Sequence, residues 1–447
     1  MTSVATPLAG SPGTVVEPAT PAGRRRPPRD HLATTAWALM ANTGVTSVLG
    51  LAFWAGAATL YTPAELGASA ALISAMMLLS VISQLDLAMG ITRLLPQVSS
   101  RRWRPVTGAY AVTAVAGVAV TVAFLVLAPR LSEGFAFLGH HRRIAILLVV
   151  AVVLWNIFAL QDAVLTTTRW AAVIPLENGA FGLVKIGLMV ALAHLLGDQG
   201  IFIAWVVAMA LLLLPVNWLI FTRVLPSRSR GVDAPQPSLL PIGDRRRVTR
   251  YLAVDYVAGL LNQGYTALVP LLVLVVLGSD ANAYFYIAFM VSGALRAVAQ
   301  SMSTSLVVEG SHSESELSSM ARTSLMRYVK YALPGTIVLA LGANLLLRPF
   351  GAEYAANGAT LLRLLLVATV PHAVIALYLG VERVRAGVSR VLAVEATIVV
   401  LVTAGAVLGM QWRGLTGFGL AWLSAHTIVA ALVVPGFWRA CRRPVPN

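Results

Sequence analysis

Two cations stand where a cation is costly. Lys185 lies about fourteen residues into the apolar run 171–196 and Arg296 about thirteen into the run 283–307, each roughly 20 Å from where its run begins at ~1.5 Å per residue. No carboxylate sits at i±3 or i±4 on the same run to neutralise either one. A carboxylate on another helix would make each a structural ion pair. Without one, both would face a central aqueous cavity and attract an anion through charge-assisted hydrogen bonds.

The other polar groups within apolar runs sort by depth. Asp86 and Asp162 come about 18–20 residues after their runs leave one face, and Glu177, Asp255 and Glu395 only about 4–7 residues in from the opposite end, so all five are expected near one mouth. There, with Arg93, they read as gate or interface charges met by headgroups and neighbours. Arg363, near the other surface, can snorkel out. His372 and His426 lie mid-run and are the candidates for proton coupling, although a lone core histidine is more often simply hydrogen-bonded. Asn42, Asn156, Asn178, Asn217, Asn262 and Gln263 can bind sugar hydroxyls or glue helices together; Asn42, Asn178, Asn262 and Gln263 join Lys185 and Arg296 as candidate substrate contacts. Pro270 and Pro175 each remove a backbone donor and can bend a helix that must move. The glycines of Gly405–Gly409 permit close packing within the bundle rather than dimerisation.

What holds these residues is set by composition. The 447 residues are 58% hydrophobic and 11% charged, with a mean hydropathy of +0.79; a soluble domain carries about 25% charge. About twelve apolar runs are long enough to span a ~30 Å hydrocarbon core: 34–58, 66–95, 106–128, 144–166, 171–196, 201–223, 251–277, 283–307, 326–347, 358–380, 391–409 and 417–438. Tyr61-Thr62-Pro63 ends the first run, and Glu65 sits where the second begins. An all-α integral membrane protein follows.

With the N-terminus inside, nearly all cations fall in inner loops; the outer ones are Arg130, Arg142, Arg143, Arg348 and Arg413. That asymmetry places both termini in the cytoplasm. The net charge of +15 is then topological, its partner anionic lipid, and nucleic acid binding falls away. Residues 1–33, rich in Pro, Gly and Thr and ending in a basic cluster, read as a cytoplasmic tail rather than a signal peptide. The basic segment 224–250 reads as a linker between a first bundle of six helices, 34–223, and a second, 251–438, followed by a tail at 439–447. Overlaying Leu60 on Val276 brings Gln84 onto Gln300, a faint parallel repeat. Cys441 is the single cysteine and reads as an inert thiol.

No nucleotide-binding, zinc-protease or serine-hydrolase motif is present, nor paired cysteines, and no outer loop could hold a catalytic domain. No enzyme activity, cofactor or metal is expected.

The stretch Leu51-Ala-Phe-Trp through Gln84, Arg93-Leu-Leu-Pro96 and Ile174-Pro-Leu-Glu-Asn178 resembles the polysaccharide flippases of the MOP (multidrug/oligosaccharidyl-lipid/polysaccharide) exporter superfamily, of O-antigen and teichoic-acid exporter type. The resemblance covers residues 34–438. It implies two six-helix bundles forming a V with alternating access, in a bacterial cytoplasmic membrane. It also implies a polyprenyl-diphosphate-linked glycan as cargo, Na⁺ or H⁺ as a coupling partner, glycan polymerase or glycosyltransferases as neighbours, and Lys185 and Arg296 as the diphosphate contacts. Two alternatives remain. One is an ion-coupled multidrug/cation antiporter, whose mid-membrane carboxylates the first run lacks. The other is a non-transporting scaffold of a glycan assembly complex. A lipid II flippase would bring extra helices for the lipid tail.

Overall fold

The computed structural model describes residues 29–98, 101–131, 142–168, 170–196, 199–227, 245–310, 316–385 and 387–442. The tails 1–28 and 443–447 and most of the linker (228–244) lie outside them. In chain order the helices are α1 (Arg29–Leu60), α2 (Pro63–Ser83), α3 (Leu87–Leu94), α4 (Trp103–Leu131), α5 (Arg142–Thr167), α6 (Ile174–Leu196), α7 (Gly200–Leu219), α8 (Arg245–Leu277), α9 (Ser279–Gly310), α10 (Leu317–Arg327), α11 (Leu333–Leu341), α12 (Ala343–Leu347), α13 (Ala352–Val367), α14 (Thr369–Val384) and α15 (Val388–Arg442). Among the described residues 10 helices are long and apolar enough to cross a membrane, or 11 if the pair bent by 74° at Gly342 is one span. The outer surface is apolar: Leu341 is 78% exposed and Leu195 76%, as a lipid-facing wall requires.

The structure departs from the twelve expected spans in two ways, each with a local cause. The run 66–95 is not one helix. Leu85 (φ 51°) and Asp86 (φ 55°) both take left-handed backbone and separate α2 from α3, a strain of about 1–3 kcal/mol per residue that neighbouring packing must hold. The run 326–347 starts earlier, at Leu317, and bends at Gly342. The runs 391–409 and 417–438 remain two limbs although α15 covers both, and its 55 residues would reach about 82 Å if straight. It is not straight, because Arg413 and Gly414 (φ 55°, ψ −135°) leave helical geometry. The chain folds back there: Gly405 faces Ala421, and the backbones of Gly409 and Gly417 touch so closely that neither has room for a Cβ. The small residues therefore pack this hairpin internally, as expected.

The turn between α1 and α2 follows from its sequence. Thr62 caps α2, its hydroxyl accepting from the Glu65 amide at 3.4 Å, while the Glu65 carboxylate accepts from the Thr62 amide at 2.8 Å. Pro63, at the first helical position, costs no hydrogen bond there. Pro175, by contrast, falls in the first turn of α6, where its missing N–H is harmless; the mid-helix bend expected of it does not arise.

Helix α2 packs along both α8 and α9, and so joins the earlier helices to the later ones. Near its N-terminus Gly67 abuts the start of α9. Asn282 donates to the Gly67 carbonyl at 2.7 Å, and a Cβ on Gly67 would collide with the Ser279 carbonyl. Near its other end the Tyr256 hydroxyl donates to the Ile82 carbonyl at 2.7 Å. Within α2, α4 and α5, Asn156 is fully buried: it accepts from the Ser80 hydroxyl and donates to Ser83 Oγ at 2.9 Å and the Thr113 carbonyl at 3.0 Å. It serves as interhelical glue.

Gly67→Leu should force α2 and α9 apart at this end. With Cys441 replaced by serine and a probe introduced by Ala283→Cys, fully buried at present, thiol labelling should speed up at least about tenfold on adding Gly67→Leu. Unchanged labelling would mean the contact does not close this end.

Candidate functional site

A cavity of about 600 Å³ lies between α2, α5, α8 and α9. Its wall includes Gln84 and Asp86 after α2, Trp155 from α5, Tyr256, Asn262, Gln263, Thr266 and Pro270 from α8, and Tyr286, Phe289, Gly293 and Arg296 from α9. Of the expected substrate contacts, Arg296, Asn262 and Gln263 line it. Pro270 sits in the same wall, so one helix brings both amides and a missing backbone donor to the cavity.

The Arg296 guanidinium lies over the Phe289 ring at 4.1 Å and near Trp422 at 5.5 Å. Its Nη1 is buried with no hydrogen-bond partner. Among the described residues Arg383 pairs with Glu395 and Arg390 with Glu382, and no described carboxylate pairs with Arg296 or Lys185. Asn262 is held from behind: its amide donates to both Glu395 oxygens at 3.1 and 3.2 Å, and Arg383 lies 3.5 Å from the same carboxylate. Glu395 is therefore 1% exposed, not a headgroup-facing charge as expected. Its position about two turns into a helix that packs against α8 makes it a buried brace for a cavity residue.

Lys185 lies off that wall. It is 6% exposed, with its ammonium 3.8 Å from the Trp205 ring, 4.8 Å from Phe53 and 4.9 Å from Phe181. Trp205 in turn meets Trp155 at 6.4 Å, and Trp155 faces the cavity. An aromatic partition thus separates the two cations, and the expectation that both face one cavity is not met in this conformation. Across the partition Trp54 and Tyr286 touch at 4.6 Å, joining α1 to α9. Phe181, one turn before Lys185 on the same helix face, was the signal in the sequence for this cage.

Asn42 and Asn178 also leave the cavity, for a second polar cluster. Asn178 donates to Asn42 Oδ1 at 3.1 Å and to Asp162. Glu177, 3% exposed, stands in the field of Asp162. With its amide turned to suit its neighbours, Gln161 donates to Glu177 at 3.1 Å and accepts from Asn217 at 3.0 Å. Asn217 accepts from Tyr110 at 3.1 Å. One oxygen of Asp162 and one of Glu177 remain buried without a partner. Both were expected as mouth charges met by headgroups; burial makes them instead an acidic pair able to hold a proton or a small cation. Arg363 is exposed on α13. The side chains of Arg93 and Asp255 lie outside the described residues.

His372 and His426 lie together, ring centroids 5.6 Å apart, with His426 4.8 Å from Trp422. Among the described residues no group of His, Cys, Asp and Glu is arranged to hold a metal ion.

The Lys185 cage makes a stability prediction. A charge in the membrane interior costs about 2.5–3.5 kcal/mol, and a desolvated cation–π contact returns about 2 kcal/mol. Lys185→Met, similar in length and apolar, should melt in detergent at the wild-type temperature or above it; a clear drop would mean Lys185 has an anionic partner.

No protein-family model and no curated protein sequence matches this chain. Its shape does match solved structures. A multidrug resistance MATE family transporter of the MOP superfamily, in an inward-facing conformation, aligns with TM-score 0.64 and 14% identity over 90% of this chain and 98% of that one. The lipid II flippase MurJ, in an inward closed conformation, aligns with TM-score 0.68 and 13% identity over 92% and 90%. The chain is an all-helical multi-pass membrane protein with the fold shared by MATE transporters and MurJ.

Proposed function

We propose that this protein is a flippase that carries a lipid-linked (polyprenyl diphosphate) oligosaccharide or polysaccharide precursor across a bacterial cytoplasmic membrane, for cell-surface glycan biosynthesis. The observation that carries this reading is Arg296. A guanidinium lines a cavity between the earlier and later helices, one nitrogen is unpaired, and among the described residues no carboxylate neutralises it. A diphosphate bears about two negative charges and cannot cross hydrocarbon unaided; Arg296 offers it a charge-assisted, bidentate partner. The amides of Asn262 and Gln263 beside it suit sugar hydroxyls.

In this reading the chain forms two six-helix bundles, 34–223 and 251–438, tied by the cytoplasmic linker 224–250, with both termini cytoplasmic and 1–33 and 439–447 as tails. The Gly67–Asn282 contact closes the outer end, and Asp86 stands at the inner mouth. Opening alternates as α2 parts from α9 and α8 bends at Pro270. The lipid tail stays in the bilayer while the head crosses the cavity. Glycosyltransferases or a glycan polymerase supply and consume the cargo.

An ion-coupled multidrug/cation antiporter is the second reading, and the acidic pair Asp162–Glu177 favours it, since two buried carboxylates with unpaired oxygens invite Na⁺ or H⁺. In the flippase the same pair would serve as the driving site. What sets the two apart is the sign of charge that the cavity accepts.

Arg296→Ala, at normal expression, should cut translocation of lipid-linked glycan into vesicles by at least about tenfold, the effect of one lost charge-assisted contact. Wild-type rates in that variant would remove the basis of the reading.

A further inference from the structure

Arg296 does not stand alone. Helices α9, α14 and α15 bring it beside His372 and His426, far apart in sequence, around the ring of Trp422. All three present a buried nitrogen with no partner: Arg296 Nη1, His372 Nδ1 and His426 Nε2. His426 is fully buried.

The proton inventory of His426 can be read from its surroundings. Its Nδ1 is 2.8 Å from the Trp422 carbonyl oxygen, which only accepts, so Nδ1 carries a hydrogen and donates. In the neutral ring Nε2 is then a bare acceptor. Arg296 Nη1 is a bare donor. The two would satisfy each other if they met, yet both are orphaned, and a buried orphan costs about 1–3 kcal/mol. The arrangement keeps a donor and an acceptor apart instead of closing them on each other.

The charged and titratable groups around the pair favour an anion there. Arg296 from α9 acts on both rings, and His426 acts on His372. From α8, Tyr265 faces Arg296. The Tyr328 hydroxyl, near the start of α14, is engaged by Thr369. Glu395 reaches Tyr265 but is held by Asn262 and Arg383. No Asp or Glu among the described residues acts on either histidine. Basic groups gathered without an acid, each with an unused nitrogen, fit an oxyanion better than an internal ion pair.

We propose that Arg296, His372 and His426 form an oxyanion subsite behind the cavity wall, which takes one phosphate group of its ligand and binds a proton at His426 Nε2 as it does so. The anion accepts from Arg296 Nη1. A proton from bulk water adds to the Nε2 lone pair, turning it from acceptor into a second donor, and His372, in the tautomer with hydrogen on Nδ1, supplies a third. No covalent bond breaks; one proton is taken up per anion and released when it leaves. As a phosphate site the proposal rests on the anionic-cargo reading above, and it couples the uptake of one proton to each cargo bound.

Sulfate is the suitable probe, because its own charge is constant over the range in which histidine titrates. Sulfate is titrated into the purified full chain in nanodiscs at about pH 8 and about pH 6. Affinity should tighten on acidification, by up to about tenfold per pH unit for one coupled proton. His426→Asn keeps an amide donor for the Trp422 carbonyl and removes Nε2; it and His372→Gln should weaken sulfate binding and flatten its pH dependence. Absence of sulfate binding in the wild type, or unchanged affinity and pH dependence in both variants, overturns the subsite. Should a variant not fold, nitrogen-15-labelled histidine in the wild type gives the same answer, as the His426 Nε2 resonance must move from the bare to the protonated position when sulfate is added, and an unmoved resonance overturns the subsite. Translocation assays separate this from the cargo reading. Lipid-linked glycan that moves while sulfate fails to bind removes the subsite alone. Sulfate that behaves as expected, with no glycan moved and inorganic pyrophosphate competing, removes the cargo reading and leaves a site for free oxyanions.

Discussion

A cation held within an apolar bundle without a carboxylate is the constraint on which the rest of this structure depends. In hydrocarbon such a charge costs several kcal/mol, and the fold offers only three remedies. It can surround the charge with aromatic faces, give it water, or keep it for a ligand. Lys185 has taken the first, enclosed by Phe53, Phe181 and Trp205. Arg296 combines the first with the others: Phe289 lies beneath it, and its edge opens on the cavity. The two cations looked equivalent by depth. Their surroundings make one a packed residue in this conformation and the other an available one.

Charge is distributed unevenly between the two groups of helices. Among the earlier helices, Asp162 and Glu177 sit buried with spare acceptor oxygens and amides around them. Among the later ones, Arg296, His372 and His426 sit buried with spare nitrogens. The cavity lies between, joined to the first group through Trp155 and to the second through Arg296. Opposite unsatisfied clusters on either side of a shared cavity suit a carrier that couples a cation or proton to an anionic cargo, since each ligand compensates charge that the protein leaves unpaired.

Much of the framework was legible because it depends on local rules. The capping box at Thr62–Glu65 and the close packing of Gly405 and Gly409 follow from residues within a turn or two. The breaks at Leu85–Asp86 and Gly342 were not legible, since Leu does not announce left-handed backbone, Asp does so only weakly, and the packing that holds it is distant. For the site, depth along a run gave Arg296 and the two histidines but not their meeting, which joins helices far apart in sequence. Depth also misled for Glu177 and Glu395: a residue one or two turns from a helix end looks interfacial, yet neighbouring helices cover both. The aromatic residues were the undervalued signal. Phe181 before Lys185 and Trp422 before His426 both stand at i−4, where a ring meets a cation or imidazole on the same helix face.

The central claim is that the cavity takes negative charge. Its most direct test uses the purified protein in vesicles and two fluorescent polyprenyl-linked glycans with the same sugars and tail, one joined through a diphosphate and the other through a quaternary ammonium linker. The account predicts rapid translocation of the diphosphate form and background rates for the cationic one. Translocation of the cationic form alone would contradict it and place the protein with the cation exporters.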